Sequence, residues 1–412
     1  MNIAPSLRRR ARRLLLGGAV AAAVACARHA APGVAPGPHW LGTWSASVQL
    51  TEPRNMPPEP GLAGSTLRQV IHVSVGGSRL RARFSNTFGR SAVTITRARI
   101  ARSLGGSAIE PASDRPLAFG GTDSAVISPG EMVTSNPLDF DVAPLADLAV
   151  TVRIGSAPDE VTGHPGSRTT SYLQSGDWAS AADLAGAVTT DHWYILAGLD
   201  VVAEGAAVVT LGNSITDGRG SGTNRNDRWP DELSRRLRSD PRTRQVAVLN
   251  AGIGGNKVLA GGLGPTALSR LDRDVLLQSG VRWVVVLEGV NDIGGASGPG
   301  ASAAVAQDLI SAYGQIIARA HARGLRVYGG TITPFGGSMY DAAGHEDARQ
   351  TVNRWIRGSG AFDAVIDFDA AVRDPADPHR LSPAADSGDH LHPGEAGYGL
   401  MAEVIDLGLF AR

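Results

Sequence analysis

The sequence predicts two domains: an all-β, jelly-roll-like sandwich over residues 39–203, then an α/β domain with a parallel sheet over 204–412. Three observations carry this. Short alternating runs fill the first part without a long helical pattern. After Glu204, apolar runs ending in glycine or asparagine alternate with helical patterns. The chain has 412 residues, 42% hydrophobic and 19% charged, enough for a sizeable core.

In the first part, Leu67, Gln69, Ile71, Val73 and Val75 share one parity, and Gly76-Gly77 reads as a hairpin turn. The next run sets Arg79, Arg81 and Arg83 against Leu80, Ala82 and Phe84, a half-buried strand with a solvated arginine face. Residues 92–96, 148–154 and 193–202 are further strands.

In the second part, strands are expected at 208–212, 246–250, 282–289, 326–332 and 364–368. Helices are expected from Pro230, over 301–323 and 346–358, and from Pro393. In such sheets, ligands bind beyond the carboxyl ends of the strands.

Residues 1–27 read as an export signal. Arg8, Arg9, Arg10, Arg12 and Arg13 precede Leu14 to Ala25, whose 12 apolar or small residues are too few to span a bilayer. Two readings compete for Cys26, the only cysteine: a lipid-modified anchor, or a small residue near an ordinary cleavage site. No membrane partner is expected beyond that anchor. Residues 28–38, rich in Pro and Gly, read as a linker. Without residues 1–27 the chain keeps 34 basic and 39 acidic residues, a net charge of −5. That balance gives no bias toward nucleic acid.

Chemistry-bearing residues fall in four loops. Ser214, in GNSITDG, follows the first strand of the α/β part. It reads equally as a nucleophile with an N–H facing an oxyanion and as a helix N-cap. Gly254 and Gly255, in NAGIGGN, allow a tight loop with an exposed N–H, or form an ordinary turn. Asn291, in LEGVNDIGG, is an amide donor or a turn residue. Asp389 and His392, in GDHLHPG, are spaced so that one loop sets a carboxylate against an imidazole. His390 is the rival base, and a His390/His392 metal pair lacks a third ligand.

Together, GNSIT, GIGGN, GVND and DHLH resemble the four blocks of the SGNH/GDSL hydrolase family over about residues 206–411. The GNSITDG form looks like a branch of xylan-associated acylhydrolases with an N-terminal β-domain. The resemblance implies a flavodoxin-like three-layer fold with Ser214 as nucleophile and Asp389–His392 as its dyad. It assigns the oxyanion hole to the Ser214 N–H, the Gly255 N–H and the Asn291 amide, with Gly254 the neighbouring alternative to Gly255. It implies an esterase of short-acyl esters, acting on a small-molecule or polysaccharide ester without cofactor or metal; the export signal places it as secreted or periplasmic, or lipid-anchored to the envelope. One departure stands out: Asn213 replaces the family's usual aspartate.

The rivals are a catalytically dead carbohydrate-binding or adhesive protein, and a peptidase or thioesterase on the same triad. Residues 219–228 are expected to line the entrance. Trp40, Trp44 and Phe88 are expected to pack in the core rather than reach the pocket.

Overall fold

In the computed structural model, residues 1–2 and 37–411 are described. The export-signal, Cys26 and most of the linker expectations lie outside these residues.

Five parallel strands organise the second half: β1 (Ala206–Gly212), β2 (Val246–Gly252), β3 (Val281–Leu287), β4 (Arg326–Gly330) and β5 (Ala364–Ile366), in the order 2-1-3-4-5. Every residue of β1 is buried, which is why it reads as a continuous apolar run rather than an alternation. Helices Trp229–Ser239, Ala301–His321, His345–Gly358 and Glu395–Glu403 follow the expected patterns. Trp229, Leu233 and Leu237 line the buried face of the first, and Leu309, Tyr313, Ile316 and Ala320 that of the second. The second half is thus an α/β fold.

The first half is strand-rich. Ser65–His72, Asp147–Ser156 and Val93–Gly105 pair antiparallel in an eight-stranded sheet. His39–Ser45, Leu196–Ala203 and Gly77–Ser85 pair in a second, five-stranded one. Gln69, the polar residue among the apolar positions of its strand, is fully buried, and its amide exchanges hydrogen bonds with the Tyr194 backbone at 2.6 and 3.1 Å.

Two expectations need correction. Gly76-Gly77 is not a hairpin turn, because Ser65–His72 and Gly77–Ser85 lie in different sheets. A short glycine link serves a crossing between sheets as well as a reversal within one. The arginine face is not solvated throughout either. Arg81 donates to the fully buried Asp200 at 2.9 Å, and Arg83 donates to Gln278 at 2.7 Å. Arg83, together with Arg81 through a second bond to Ser279 Oγ at 3.3 Å, ties the strand-rich half to the loop before β3.

That junction continues along β2, the edge strand of the parallel sheet. The Val248 N–H donates to Ser74 Oγ at 3.1 Å, and Ser45 Oγ donates to the Asn250 carbonyl at 3.3 Å. The strand-rich half therefore occupies hydrogen-bonding groups on the sheet edge, a place otherwise open to another strand. Trp44 packs edge-on against Trp193 at 4.8 Å, while Trp40 lies under Arg81 and Phe88 under Arg273. None of the three aromatics reaches the cleft described next. Among the described residues, no helix is long and apolar enough to cross a membrane.

Candidate active site

Strand β1 ends at Gly212, and the chain turns at once into a short helix, Ser214–Asp217. The Asn213 side chain caps it by accepting the Ile215 N–H at 3.0 Å. The cap is therefore Asn213 and not Ser214, which leaves the serine hydroxyl free. Ser214 Oγ lies 2.8 Å from His392 Nε2. His392 Nδ1 lies 2.7 Å from Asp389 Oδ2. The other oxygen, Asp389 Oδ1, accepts the backbone N–H groups of Leu391 and His392 at 3.0 and 2.8 Å.

The electrostatics follow from those contacts. Burial works against the Asp389 charge, but the His392 N–H and ring outweigh it and hold the carboxyl at about 2. Burial lowers the His392 pKa below its ordinary value, against the pull of Asp389. At neutral pH the pair is carboxylate and neutral imidazole, with Nδ1–H on the carboxylate and a lone pair on Nε2 toward Ser214. His390 is held elsewhere, its Nδ1 2.5 Å from Asp386 Oδ2. Among the described residues no three His, Cys, Asp or Glu side chains converge on a metal-sized site.

The remaining predicted residues border the same place. Ser214, Gly254, Gly255, Asn291, Asp389 and His392 all line one cleft of about 990 Å³. Gly255 has φ +68°, a left-handed conformation that favours glycine. The N–H groups of Ser214 and Gly255 meet no acceptor among the described residues. Asn291 Nδ2 donates to the Asn256 carbonyl at 2.8 Å, which leaves it a second N–H. Of residues 219–228, only Arg219 lines the cleft. The others fold away: Asp227 accepts the Gly222 N–H at 3.0 Å, and Asn224 bonds Thr170 at 2.8 Å.

Several contributors escape a reading of the sequence. Tyr340 donates its hydroxyl to Asn291 Oδ1 at 2.9 Å and so fixes which way the amide faces. Arg270, fully buried, donates to the Gly212 and Ala251 carbonyls at 2.9 and 2.7 Å and to Asn256 Oδ1 at 3.0 and 2.9 Å. It thereby ties the end of β1 to β2 and to the glycine loop. Its i,i+4 partner Asp274, 3.2 Å away, is the one signal the sequence carries for it. Asp292 accepts the Val258 and Leu259 N–H groups at 3.0 Å each and holds the far side of that loop.

The strand-rich half supplies one wall, including Gln49, Glu52, Arg54, Asn55, Arg168 and His192. It also grips the serine helix directly. His164 Nε2 lies 2.8 Å from Asp217 Oδ1, and its Nδ1 lies 2.8 Å from the Ser47 carbonyl. Both ring nitrogens face acceptors, so the imidazolium satisfies both. Gly166 allows this approach, since a β-carbon there would lie 1.8 Å from Asp217 Oδ2.

Fold and matched sequence define a carboxylic ester hydrolase. Residues 210–400 match the model of the GDSL-like Lipase/Acylhydrolase family, and that domain belongs to it. No curated protein matches the chain. Among solved structures, the chain is similar to the acetyl xylan esterase AlAXEase, at 21% identity and TM-score 0.37, over 48% of this chain and 96% of that one. It is similar to the acetylxylan esterase Axe2 from Geobacillus stearothermophilus, at 19% identity and TM-score 0.36, over 48% and 93%. A GDSL-like lipase from Bacteroides thetaiotaomicron VPI-5482 shows 19% identity and TM-score 0.35, over 48% and 84%.

Proposed function

We propose that this chain is an exported serine esterase that removes short acyl groups, with acetylated carbohydrate as the favoured substrate class, through an acyl-enzyme on Ser214. The observation that carries the reading is the relay of Ser214 Oγ, His392 and Asp389, at 2.8 and 2.7 Å, opening into one cleft.

In this mechanism His392 Nε2 takes the Ser214 proton as Oγ bonds to the ester carbonyl carbon. The carbonyl oxygen becomes an oxyanion facing the Ser214 N–H, the Gly255 N–H and the Asn291 amide. Each such donor is typically worth about 3–4 kcal/mol in the transition state. Collapse breaks the bond to the alcohol oxygen, which takes the proton from His392. Water then repeats the attack on the acyl-enzyme and loses its proton to His392; collapse releases the acid as the Ser214 Oγ takes that proton back from His392.

The wall chemistry supports a small acyl group on a polar alcohol. Arg54 and His192 set hydrogen-bonding groups beside the apolar Leu263, Met339 and Leu391, a mixed lining suited to a small acyl group on a polar alcohol. The basic head and apolar run within residues 1–27 support export, and Cys26 offers the lipid-anchored form.

A fluorophosphonate probe tests the chemistry by intact mass: one adduct is expected on the parent and none on Ser214→Ala. An inert parent chain would favour a binding protein instead. Acetylated xylan beside p-nitrophenyl esters of graded length tests the substrate, and preference for chains beyond about ten carbons would contradict it. The mass of the exported protein distinguishes a free N-terminus from a lipid on Cys26.

A further inference from the structure

The cleft holds more positive charge than the proposed chemistry uses. Its three lining carboxylates are all engaged. Glu52 accepts from Gln49 and Asn55 at 2.5 and 2.8 Å, Asp217 meets His164, and Asp389 meets His392. Four cationic side chains line the same space: Arg54, Arg168, Arg219 and Lys257.

Two of the four bear on the imidazole. Arg219 Nε is 4.0 Å from Asp389 Oδ2, an oxygen already bonded to His392, and its side chain is 61% exposed. Its backbone is fixed, because the Tyr398 hydroxyl donates to the Arg219 carbonyl at 2.5 Å. Arg168 Nε is buried with no hydrogen-bond partner among the described residues. That nitrogen is closed to the cleft, but Arg168 lines the cleft, and no carboxylate among the described residues pairs with it. Arg168 also has φ +53°, a left-handed conformation unfavourable for a residue with a β-carbon. The Asn224 N–H, donating to the Arg168 carbonyl at 2.8 Å, helps to hold it there. Both guanidinium groups help to lower the His392 pKa, after burial.

The chemistry says which part of the substrate lies there. His392 hands its proton to the leaving alcohol, so the alcohol occupies the imidazole side, and the acyl oxygen faces Asn291 and Gly255. We propose that Arg168 and Arg219 bind a carboxylate carried on the alcohol part of the ester, so that the enzyme selects acidic alcohols over neutral ones. A guanidinium meets a carboxylate with two parallel hydrogen bonds, the pairing Arg168 lacks. This inference rests on the serine-esterase reading above.

The acetyl esters of 4-hydroxybenzoate and 4-hydroxybenzamide test it, since both give the same acetyl-enzyme and differ in the charge of the alcohol. Each kcat/KM is divided by the ester's own hydroxide-catalysed rate. The expected preference for the carboxylate ester is about tenfold at low salt, falling toward parity near 0.5 M NaCl. The double substitution R168Q/R219Q is expected to abolish the preference, and if that variant fails to fold, the salt dependence of the parent decides. Parity at low salt, or a preference that survives both substitutions, overturns the carboxylate site and leaves the esterase intact. Failure to turn over either ester overturns both.

Discussion

Asn213 Nδ2 donates to Glu288 Oε2 at 3.2 Å, behind the nucleophile and out of reach of solvent. Burial pushes the Glu288 carboxyl up to about 8, with Arg270 opposing and Asp292 adding to the rise. An aspartate at 213, the usual residue of the family resemblance, would face a second buried acid across that gap. The asparagine is thus matched to the glutamate two residues before Val290.

Asn213→Asp is expected to cost about 1–3 kcal/mol of stability, because Glu288 loses its amide donor and two acids must share a proton. Combining it with Glu288→Gln restores a donor between the two positions and should recover at least half of the loss. Urea unfolding of the two single variants and the double variant checks this. A single Asn213→Asp variant as stable as the parent would contradict the pairing.

His392 must be neutral to accept the serine proton, and its pKa is lowered from the ordinary 6.5. The kcat/KM for p-nitrophenyl acetate should therefore be level from about pH 7 upward through neutrality and fall, with slope one, only below about pH 6.5. Asp389 raises the His392 pKa, so Asp389→Asn should move that acid limb to still lower pH. The same variant should lower kcat by about 10²–10⁴-fold, since the imidazole loses the partner that sets its tautomer. An acid limb that stays put would separate Asp389 from the titrating group.

Tyr340→Phe removes the hydroxyl on Asn291 Oδ1 and leaves the amide free to turn. A fall in kcat of about tenfold with little change in KM is expected, a fraction of the loss for a whole oxyanion donor. A change confined to KM would instead place Tyr340 as a substrate contact.

His164 reports on the grip between the strand-rich half and the serine helix. Burial lowers its pKa, but the Asp217 charge and hydrogen bond outweigh it, so the folded-state value is raised above 6.5. A raised value means stabilisation that is complete below the unfolded pKa and lost as pH rises through the folded one. The Tm gap between the parent and His164→Gln should be widest near about pH 6 and narrow on the alkaline side. A gap that widens with pH would reverse the assignment of charge.

The parallel sheet is legible in the sequence because strands buried on both faces are apolar at every position, as 206–212 are. Ser214, Gly255, Asn291 and Asp389–His392 are legible as candidates because each sits in a local pattern at a strand end or helix start. Arg168, Tyr340 and His164 are not, since their contacts join residues about 50 or more positions apart and no local pattern encodes them. The arginine face of 79–83 misleads for a related reason: alternation shows which side is polar, not whether Asp200 and Gln278 wait on it. Gly76-Gly77 misleads because strand partners are a tertiary property.

If Ser214 is the nucleophile, steady-state turnover of p-nitrophenyl acetate must collapse in Ser214→Ala. The expected kcat/KM falls by at least about 10³-fold while circular dichroism and Tm stay at the parent's values. A folded Ser214→Ala protein that keeps the parent's activity would contradict that role.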